Sequence, residues 1–94
     1  MNKYESVIII NPNLEAESIK ALTSKFSDLI NTDGNVASIE ELGNKKLAYE
    51  INKNKEGYYI VFKFEANPKL ITELERVYRI TDEVIKFIVV KEEE

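Results

Sequence analysis

The apolar residues of the first half of the chain predict two strands. Residues 3–10 end in an unbroken β-branched run, and the polar Asn11-Pro12-Asn13 stops it. That run indicates a strand that is central or covered on both faces. Residues 36–42 and 47–51 alternate imperfectly around Gly43. A glycine inside such a pattern predicts a bulge or bend within the second strand.

The second half of the chain predicts two more strands. Residues 52–57 are polar and end in glycine, which is typical of a turn. Residues 58–65 then alternate cleanly, and one of their two faces carries no charge, consisting of Tyr58, Ile60, Phe62 and Phe64. Another nearly unbroken apolar run predicts the last strand over residues 84–91. The acidic residues 92–94 read as a frayed tail.

Helical periodicity fills the two gaps between strands. Residues 14–31 carry an apolar stripe at steps of three, four, three and one, formed by Ile19, Leu22, Phe26, Leu29 and Ile30. Asn13 is expected to cap the start of this helix. Gly34 is expected to adopt the left-handed conformation where the chain leaves the helix. Asn67-Pro68 predicts a second helix to about Arg79. Its apolar face is Leu70, Ile71, Leu74, Val77 and Tyr78.

The order β-α-β-β-α-β indicates an α+β domain over residues 1–94. Each helix must return the chain to one sheet by a right-handed crossover. The solution is a ferredoxin-like plait, a four-stranded antiparallel sheet with both helices on one face. The first and third strands then lie at the centre, and the second and fourth form the edges.

Two helices cover one face of such a sheet and leave the other open. Strand parity sends Ile8, Ile10, Tyr58, Ile60, Phe62, Phe64, Phe87 and Val89 toward the helices. The open face then carries Glu5, Val7, Ile9, Tyr59, Val61, Lys63, Ile88 and Val90. A patch this apolar favours a docked partner or self-association over a merely solvated face.

The charge of the chain is divided unevenly. Residues 44–63 hold five lysines against two glutamates, a charge of +3, whereas the whole chain carries −4 and the remainder therefore −7. A basic hairpin on an acidic body indicates a polyanion ligand. Of its cations, Lys45, Lys46, Lys53 and Lys55 are each able to neutralise a phosphate.

The composition excludes most catalytic and metal chemistry. The chain has neither cysteine nor histidine, so thiolate nucleophiles, disulfides and the commonest transition-metal ligand are missing. Glu40 and Glu41 are strand neighbours that point to opposite faces, and the chain has no glycine-rich phosphate loop. We therefore expect no enzyme, no cofactor, no metal and no small-molecule substrate. No apolar run approaches a membrane span, and a reducing cytoplasm fits this composition.

The sheet is a poor match to an RNA-reading plait. Gly57-Tyr58-Tyr59-Ile60-Val61 resembles a fragment of the RNA-recognition-motif signature. However, Glu56 replaces its basic residue and Ile60 its stacking aromatic. RNA reading by the open face is therefore disfavoured, although stacking by Tyr49 or Tyr59 stays open.

An ordered set of short motifs resembles a known family. They are Lys3-Tyr4-Glu5, Asn11-Pro12-Asn13-Leu14, Glu40-Glu41-Leu42-Gly43, Lys45-Lys46-Leu47-Ala48-Tyr49 with Ile51 and Lys53, Gly57-Tyr58-Tyr59, and Arg79 followed by Ile80-Thr81-Asp82-Glu83-Val84-Ile85-Lys86-Phe87. Together they span about residues 3–91. The chain is similar to the family of protein six of the bacterial small ribosomal subunit.

That resemblance implies the same plait and a structural role in the ribosome. It implies binding to the central domain of small-subunit rRNA, as a heterodimer with the small basic ribosomal protein eighteen. The RNA contacts it implies are Lys3, Lys45, Lys46, Lys53, Lys55, Arg79 and Lys86. For the protein partner we expect Val7, Ile9, Tyr49, Tyr59, Val61, Lys63, Ile88 and Val90. Which cations meet RNA and which meet the partner is left open.

A second hypothesis comes from a different class of protein. The same open face suits a plait that dimerises or binds a small molecule. A stable homodimer would favour that alternative, whereas release of the chain together with rRNA and small-subunit proteins would favour the ribosomal one.

Overall fold

The fold is β-α-β-β-α-β, as the sequence predicts. The computed structural model describes residues 1–51 and 53–92. Its elements are β1 (Asn2–Ile10), α1 (Ala16–Asn31), β2 (Gly34–Ile51), β3 (Asn54–Ala66), α2 (Pro68–Ile80) and β4 (Val84–Lys91). Most of the predicted acidic tail and one residue of the predicted turn lie outside the described residues.

The four strands form one antiparallel sheet in the order β2-β3-β1-β4. The apolar β1 and the aromatic β3 are central, as predicted. Ile8 pairs with Ile60 on one side and with Phe87 on the other, so these three side chains point to the same face. The predicted strand parity, including that of β4, is confirmed.

An aromatic cluster joins the helices to the sheet. Phe26 of α1, Phe62 of β3 and Tyr78 of α2 have no exposed surface. The rings of Phe26 and Tyr78 meet edge to face, with centroids 4.8 Å apart, and Phe26 contacts Phe62 in the same way at 6.4 Å. Such pairs add to the stabilisation that burial of their surface gives. Both predicted helix stripes are therefore core.

The starts of the helices differ from the prediction. Glu15, not Asn13, occupies the N-cap of α1, and its side chain makes no capping bond. Asn13 lies in a turn, where its backbone N–H donates to Asn11 Oδ1 at 2.9 Å. Asn67 does precede Pro68 at the start of α2, but its amide donates to Asp33 Oδ1 at 2.6 Å instead of capping. Short polar side chains have several backbone partners within reach, which sequence alone does not rank.

Gly34 is needed for a different reason from the one predicted. Among the described residues only Lys53 and Gly43 have positive φ, so a left-handed helix exit at Gly34 is wrong. Gly34 instead opens β2, and a Cβ there would lie 2.2 Å from the carbonyl oxygen of Glu65. The glycine allows β2 to approach the backbone of β3.

The predicted turn over residues 52–57 is too long. Ile51 pairs with Asn54, so β3 begins four residues earlier than its apolar alternation shows. Gly57 is a paired strand residue opposite Lys45. The sequence does not indicate this part of the strand, because most of its side chains face solvent. Apolar and polar residues therefore need not alternate there.

Candidate nucleic-acid and protein interface

The β2–β3 hairpin extends beyond the rest of the sheet. Pairing between β1 and β3 stops at Ile10 and Tyr58, so the first four residues of β3 pair only with β2. We call residues 44–51 and 53–57 the basic arm. All four of its lysines are exposed, namely Lys45, Lys46, Lys53 and Lys55. The predicted cation cluster is therefore a single two-stranded projection.

The basic arm bends back toward the open face of the sheet. A straight strand of 18 residues would be about 56 Å long, because each residue rises about 3.3 Å. The longest dimension of the molecule is only 37 Å. Register shifts interrupt β2 between Val36 and Ser38, between Glu41 and Gly43, and between Lys46 and Ile51. Bulges increase local twist and bend a strand. The predicted bulge at Gly43 is confirmed, with φ of 81°.

A small apolar contact holds the base of the arm down. Leu47 of the arm and Ile9 of the open face are each only 8% exposed. A Cβ built on Gly57 would lie 2.2 Å from Ile9 Cγ2 and 3.5 Å from Leu47 Cδ2. Because Gly57 has no side chain, the arm can lie close to the sheet at this point. The glycine is visible in the sequence, but this proximity is not, because Ile9 is distant from Leu47 and Gly57 along the chain.

A second contact ties the arm to the far edge of the sheet. Lys86 Nζ of β4 donates to the hydroxyl of Tyr49 at 3.4 Å and lies 5.9 Å from the centre of its ring. The tyrosine nevertheless stays 65% exposed. This contact brings Lys86 beside the arm, so five of the seven predicted RNA-contacting cations share one region.

The other two predicted cations lie elsewhere. Lys3 is at the opposite end of β1 and lines a cleft of about 330 Å³ with Lys63 and Glu65. The Arg79 guanidinium lies 6.0 Å from the ring of Phe87, whose side chain faces the helices. One flat RNA surface cannot contain all seven cations, because they occupy two ends and two faces of the domain.

The open face is smaller than the sequence predicts. Ile9 and Val61 are buried at 8% and 7% exposure, so they offer a partner little surface. The prediction of an uncovered face is corrected at these two positions, and at Ile9 the backbone of Gly57 and the side chain of Leu47 lie close by. Ile88 and Val90 on β4 remain 51% and 54% exposed.

An apolar depression lies beside these exposed side chains. It measures about 210 Å³ and is lined by Val7, Ile9, Tyr59, Lys86, Phe87 and Ile88. Val7 and Tyr59 are half-buried there, and Lys63 is exposed further along β3. The accessible part of the predicted partner surface is thus a strip along β1, β3 and β4.

The tyrosines have distinct environments. Tyr58 packs against the core on the helix side, and burial together with the nearby Glu41 carboxylate raises its pKa. Tyr58 is half-buried, and its ring points to the helix side of the sheet. Tyr59 is half-buried on the open side of the sheet, and Tyr49 lies exposed on the arm.

Residues 1–51 and 53–92 contain no group of three or more carboxylates placed to hold a metal ion. Neither of the two helices found there is long and apolar enough to cross a membrane.

Comparison with known proteins gives a consistent picture. Residues 3–91 match the family model described as Ribosomal protein S6. The chain is 50% identical to small ribosomal subunit protein bS6 of Clostridium novyi (strain NT), over 99% of both chains. It is 42% identical to the bS6 protein of Moorella thermoacetica, over 100% of this chain and 97% of that one.

Solved structures show the same similarity. The crystal structure of 30S ribosomal protein S6 from Thermotoga maritima superposes with a TM-score of 0.91 at 34% identity, covering 97% of this chain and 87% of that one. A protein from Arabidopsis thaliana shares only the fold, with a TM-score of 0.58 and 15% identity.

Proposed function

Because the chain belongs to the ribosomal protein S6 family, we propose that it binds the central domain of small-subunit rRNA together with the small basic ribosomal protein eighteen. Proteins of this family are structural parts of the small ribosomal subunit and not enzymes, and they reside in the ribosome in the cytoplasm. The finer assignment of RNA domain, protein partner and contact residues is our proposal.

The basic arm is the feature that best supports RNA binding. Its four lysines are exposed on a projection that reaches beyond the sheet, and Lys86 joins them through Tyr49. Lysine ammonium groups neutralise phosphates without reading base sequence. The arm therefore suits the backbone of a folded RNA, and we assign it as the main RNA contact.

The charge of the rest of the domain supports the proposal of a basic partner. Outside residues 44–63 the chain carries −7, which repels an RNA approaching from other directions. A basic partner supplies the missing positive charge and extends the RNA-binding surface. Its binding to this chain also buries exposed apolar surface on β4.

We assign the partner to the open face. Ile88 and Val90 are exposed there, next to the 210 Å³ depression. Glu5 and Glu40 share that face, because they pair with Lys63 and Val61, whose side chains point away from the helices. Apolar anchors among carboxylates suit a basic protein with apolar side chains of its own.

A binding experiment with three components tests this function. An in vitro transcript of the central domain of bacterial small-subunit rRNA is titrated with the chain alone and with an equimolar mixture of the chain and protein eighteen. We expect weak, salt-sensitive binding alone and much tighter binding of the mixture. Equal affinity with and without the partner would overturn the cooperative assignment. A homodimer at micromolar concentration, disrupted by Tyr59→Glu, would favour the dimerising module instead.

A further inference from the structure

The tip of the basic arm forms a cleft with a loop from another part of the chain. One side of the cleft is lined by the arm residues Lys53, Asn54, Lys55 and Glu56. The other side is lined by Pro12 and Asn13, in the loop between β1 and α1. The cleft measures about 310 Å³. The sequence offers no reason to group the loop with the arm, because about 40 residues separate them.

The loop side of this cleft is fixed by hydrogen bonds. Asn11 Oδ1 accepts from the backbone N–H of Asn13, and the Asn11 N–H donates to the carbonyl oxygen of Glu83 at 2.9 Å. The loop is thus anchored to the residue that precedes β4. The Asn13 side chain is exposed, so its amide group is presented on a fixed backbone.

The arm side of the cleft contains an unusual backbone conformation. Lys53 has φ of 67°, in the left-handed region that glycine and asparagine adopt most easily. It is the only residue other than glycine with positive φ in the described part of the chain. Lys53 directly precedes Asn54, which pairs with Ile51, and tight hairpin turns favour positive φ at their central residues. Lys53 at this turn is one of the residues that line the cleft.

We propose that this cleft binds one phosphate group of the rRNA backbone, held between Lys53 and Lys55 on the arm and the Asn13 amide on the loop. The inference rests on the proposed function and adds a second wall to the RNA contact. Two ammonium groups against Glu56 leave the cleft with positive charge. The amide N–H₂ of Asn13 supplies a neutral donor to a phosphate oxygen.

Three single variants separate the parts of this site. Lys53→Gly relaxes the backbone strain and removes the ammonium group, whereas Lys55→Ala and Asn13→Ala remove the other two donors. Lys69→Ala on α2 is the matched control, since it removes an exposed lysine outside the arm and the cleft. Each is titrated, with protein eighteen present, against the central-domain transcript at several salt concentrations.

The expected results differ among these variants. Lys53→Gly and Lys55→Ala each weaken binding about tenfold, since they remove hydrogen bonds to a charged group. Each also makes the negative slope of log K against log salt shallower by about one. Asn13→Ala weakens binding about fivefold and leaves that slope unchanged, because a neutral donor releases no counterion. Lys69→Ala changes neither quantity, and the melting temperature of Lys53→Gly does not fall.

Other results would overturn the cleft assignment. If Asn13→Ala and Lys53→Gly bind RNA normally while Lys45→Ala and Lys46→Ala bind weakly, the cleft proposal fails and the proposed function stands. If none of these variants weakens RNA binding, the RNA-binding function of the arm fails as well. If Lys53→Gly weakens binding to protein eighteen without RNA, the cleft receives a carboxylate of the partner and not a phosphate.

Discussion

Ser6 Oγ and the Tyr78 hydroxyl lie 3.0 Å apart, and neither residue has any exposed surface. The bond joins β1 to α2 across 72 positions of sequence. Periodicity alone assigns Tyr78 to the apolar stripe of α2 and gives Ser6 no partner. Each hydroxyl satisfies the other in the core, and the described residues contain no buried side-chain polar atom without a partner.

Breaking this pair from one side is expected to cost more than removing both hydroxyls. Ser6→Ala leaves the Tyr78 hydroxyl buried without a partner, which lowers the free energy of unfolding by about 1–3 kcal/mol. Tyr78→Phe has a similar effect, because it leaves the buried Ser6 hydroxyl without its partner. The double variant loses less than the sum of the two, because no polar group is then left unpaired. Urea denaturation of all four proteins measures the coupling, and strictly additive losses would contradict it.

The stability of the fold is expected to fall at high pH. Burial raises the pKa of the Tyr78 hydroxyl well above its ordinary 10.0, an effect that the bond to Ser6 partly opposes. Above about pH 10 the unfolded chain releases this proton while the folded chain retains it, so alkali favours unfolding. Below about pH 10 this proton makes no difference to the free energy of unfolding. Above that pH, the free energy of unfolding falls by up to about 1.4 kcal/mol per pH unit.

Two phenylalanine variants test the origin of this alkaline loss. Tyr78→Phe makes the decline above pH 10 shallower, whereas Tyr49→Phe, at an exposed tyrosine, preserves it. Denaturant midpoints between pH 8 and pH 11 measure the difference. An equally steep decline in Tyr78→Phe would assign the effect to other groups.

The position of the basic arm is expected to depend on Gly57. In Gly57→Ala the new methyl group overlaps Ile9 Cγ2, so the arm must lift from the open face or the side chain must move. Overpacking of this kind costs about 1–3 kcal/mol. The displacement also weakens the contact between Tyr49 and Lys86, which chemical shifts of the Tyr49 ring detect.

Gly43→Ala is the matched control for that change. A Cβ at Gly43 meets nothing within 4 Å, but φ of 81° strains any larger residue. It therefore destabilises by about 1–2 kcal/mol through the backbone, with the contact between Leu47 and Ile9 intact. If both variants shift the Tyr49 ring equally, the arm is not positioned by the space at Gly57.

The lysines near the bend of the arm are expected to determine the salt sensitivity of RNA binding. The double variant Lys45→Ala/Lys46→Ala removes two exposed cations and makes the negative slope of log K against log salt shallower by about two. The fold is unchanged, because surface substitutions of this kind shift stability by less than about 0.5 kcal/mol. The double variant Lys20→Ala/Lys69→Ala removes the same charge from exposed helix positions and is expected to keep the slope. An unchanged slope in the arm variant would exclude these two lysines as phosphate contacts.

The sequence predicts most of the fold because its elements carry strong periodic signals. Phe62 and Phe64 identify the core face of β3, and Ile19 and Phe26 identify that of α1. The start of β3 is missed because residues 54–57 lie on a mostly exposed ribbon that has no apolar alternation. The role of Gly34 is missed because a close approach to the Glu65 carbonyl depends on tertiary structure.

The candidate site is predictable in composition but not in shape. The density of lysines in the arm is visible in the sequence. Its return to the sheet is not, because it depends on the close approach of Gly57 to Ile9 and on the bond between Tyr49 and Lys86. Strand parity also places Ile9 and Val61 on the open face correctly without indicating that they are buried. Strand parity specifies the face of the sheet to which a side chain points, whereas its burial depends on which other residues cover that face.

The interruptions in β2 have a further consequence for the free edge of the sheet. β2 is an edge strand of 18 residues, and a regular edge of that length offers a template on which other chains can pair and aggregate. Its three register shifts divide it into short segments whose free N–H and C=O groups do not form one continuous row. Exposed charges at Glu40, Lys45 and Lys46 interrupt it further. A newly made copy is thereby protected from edge-to-edge assembly with other copies.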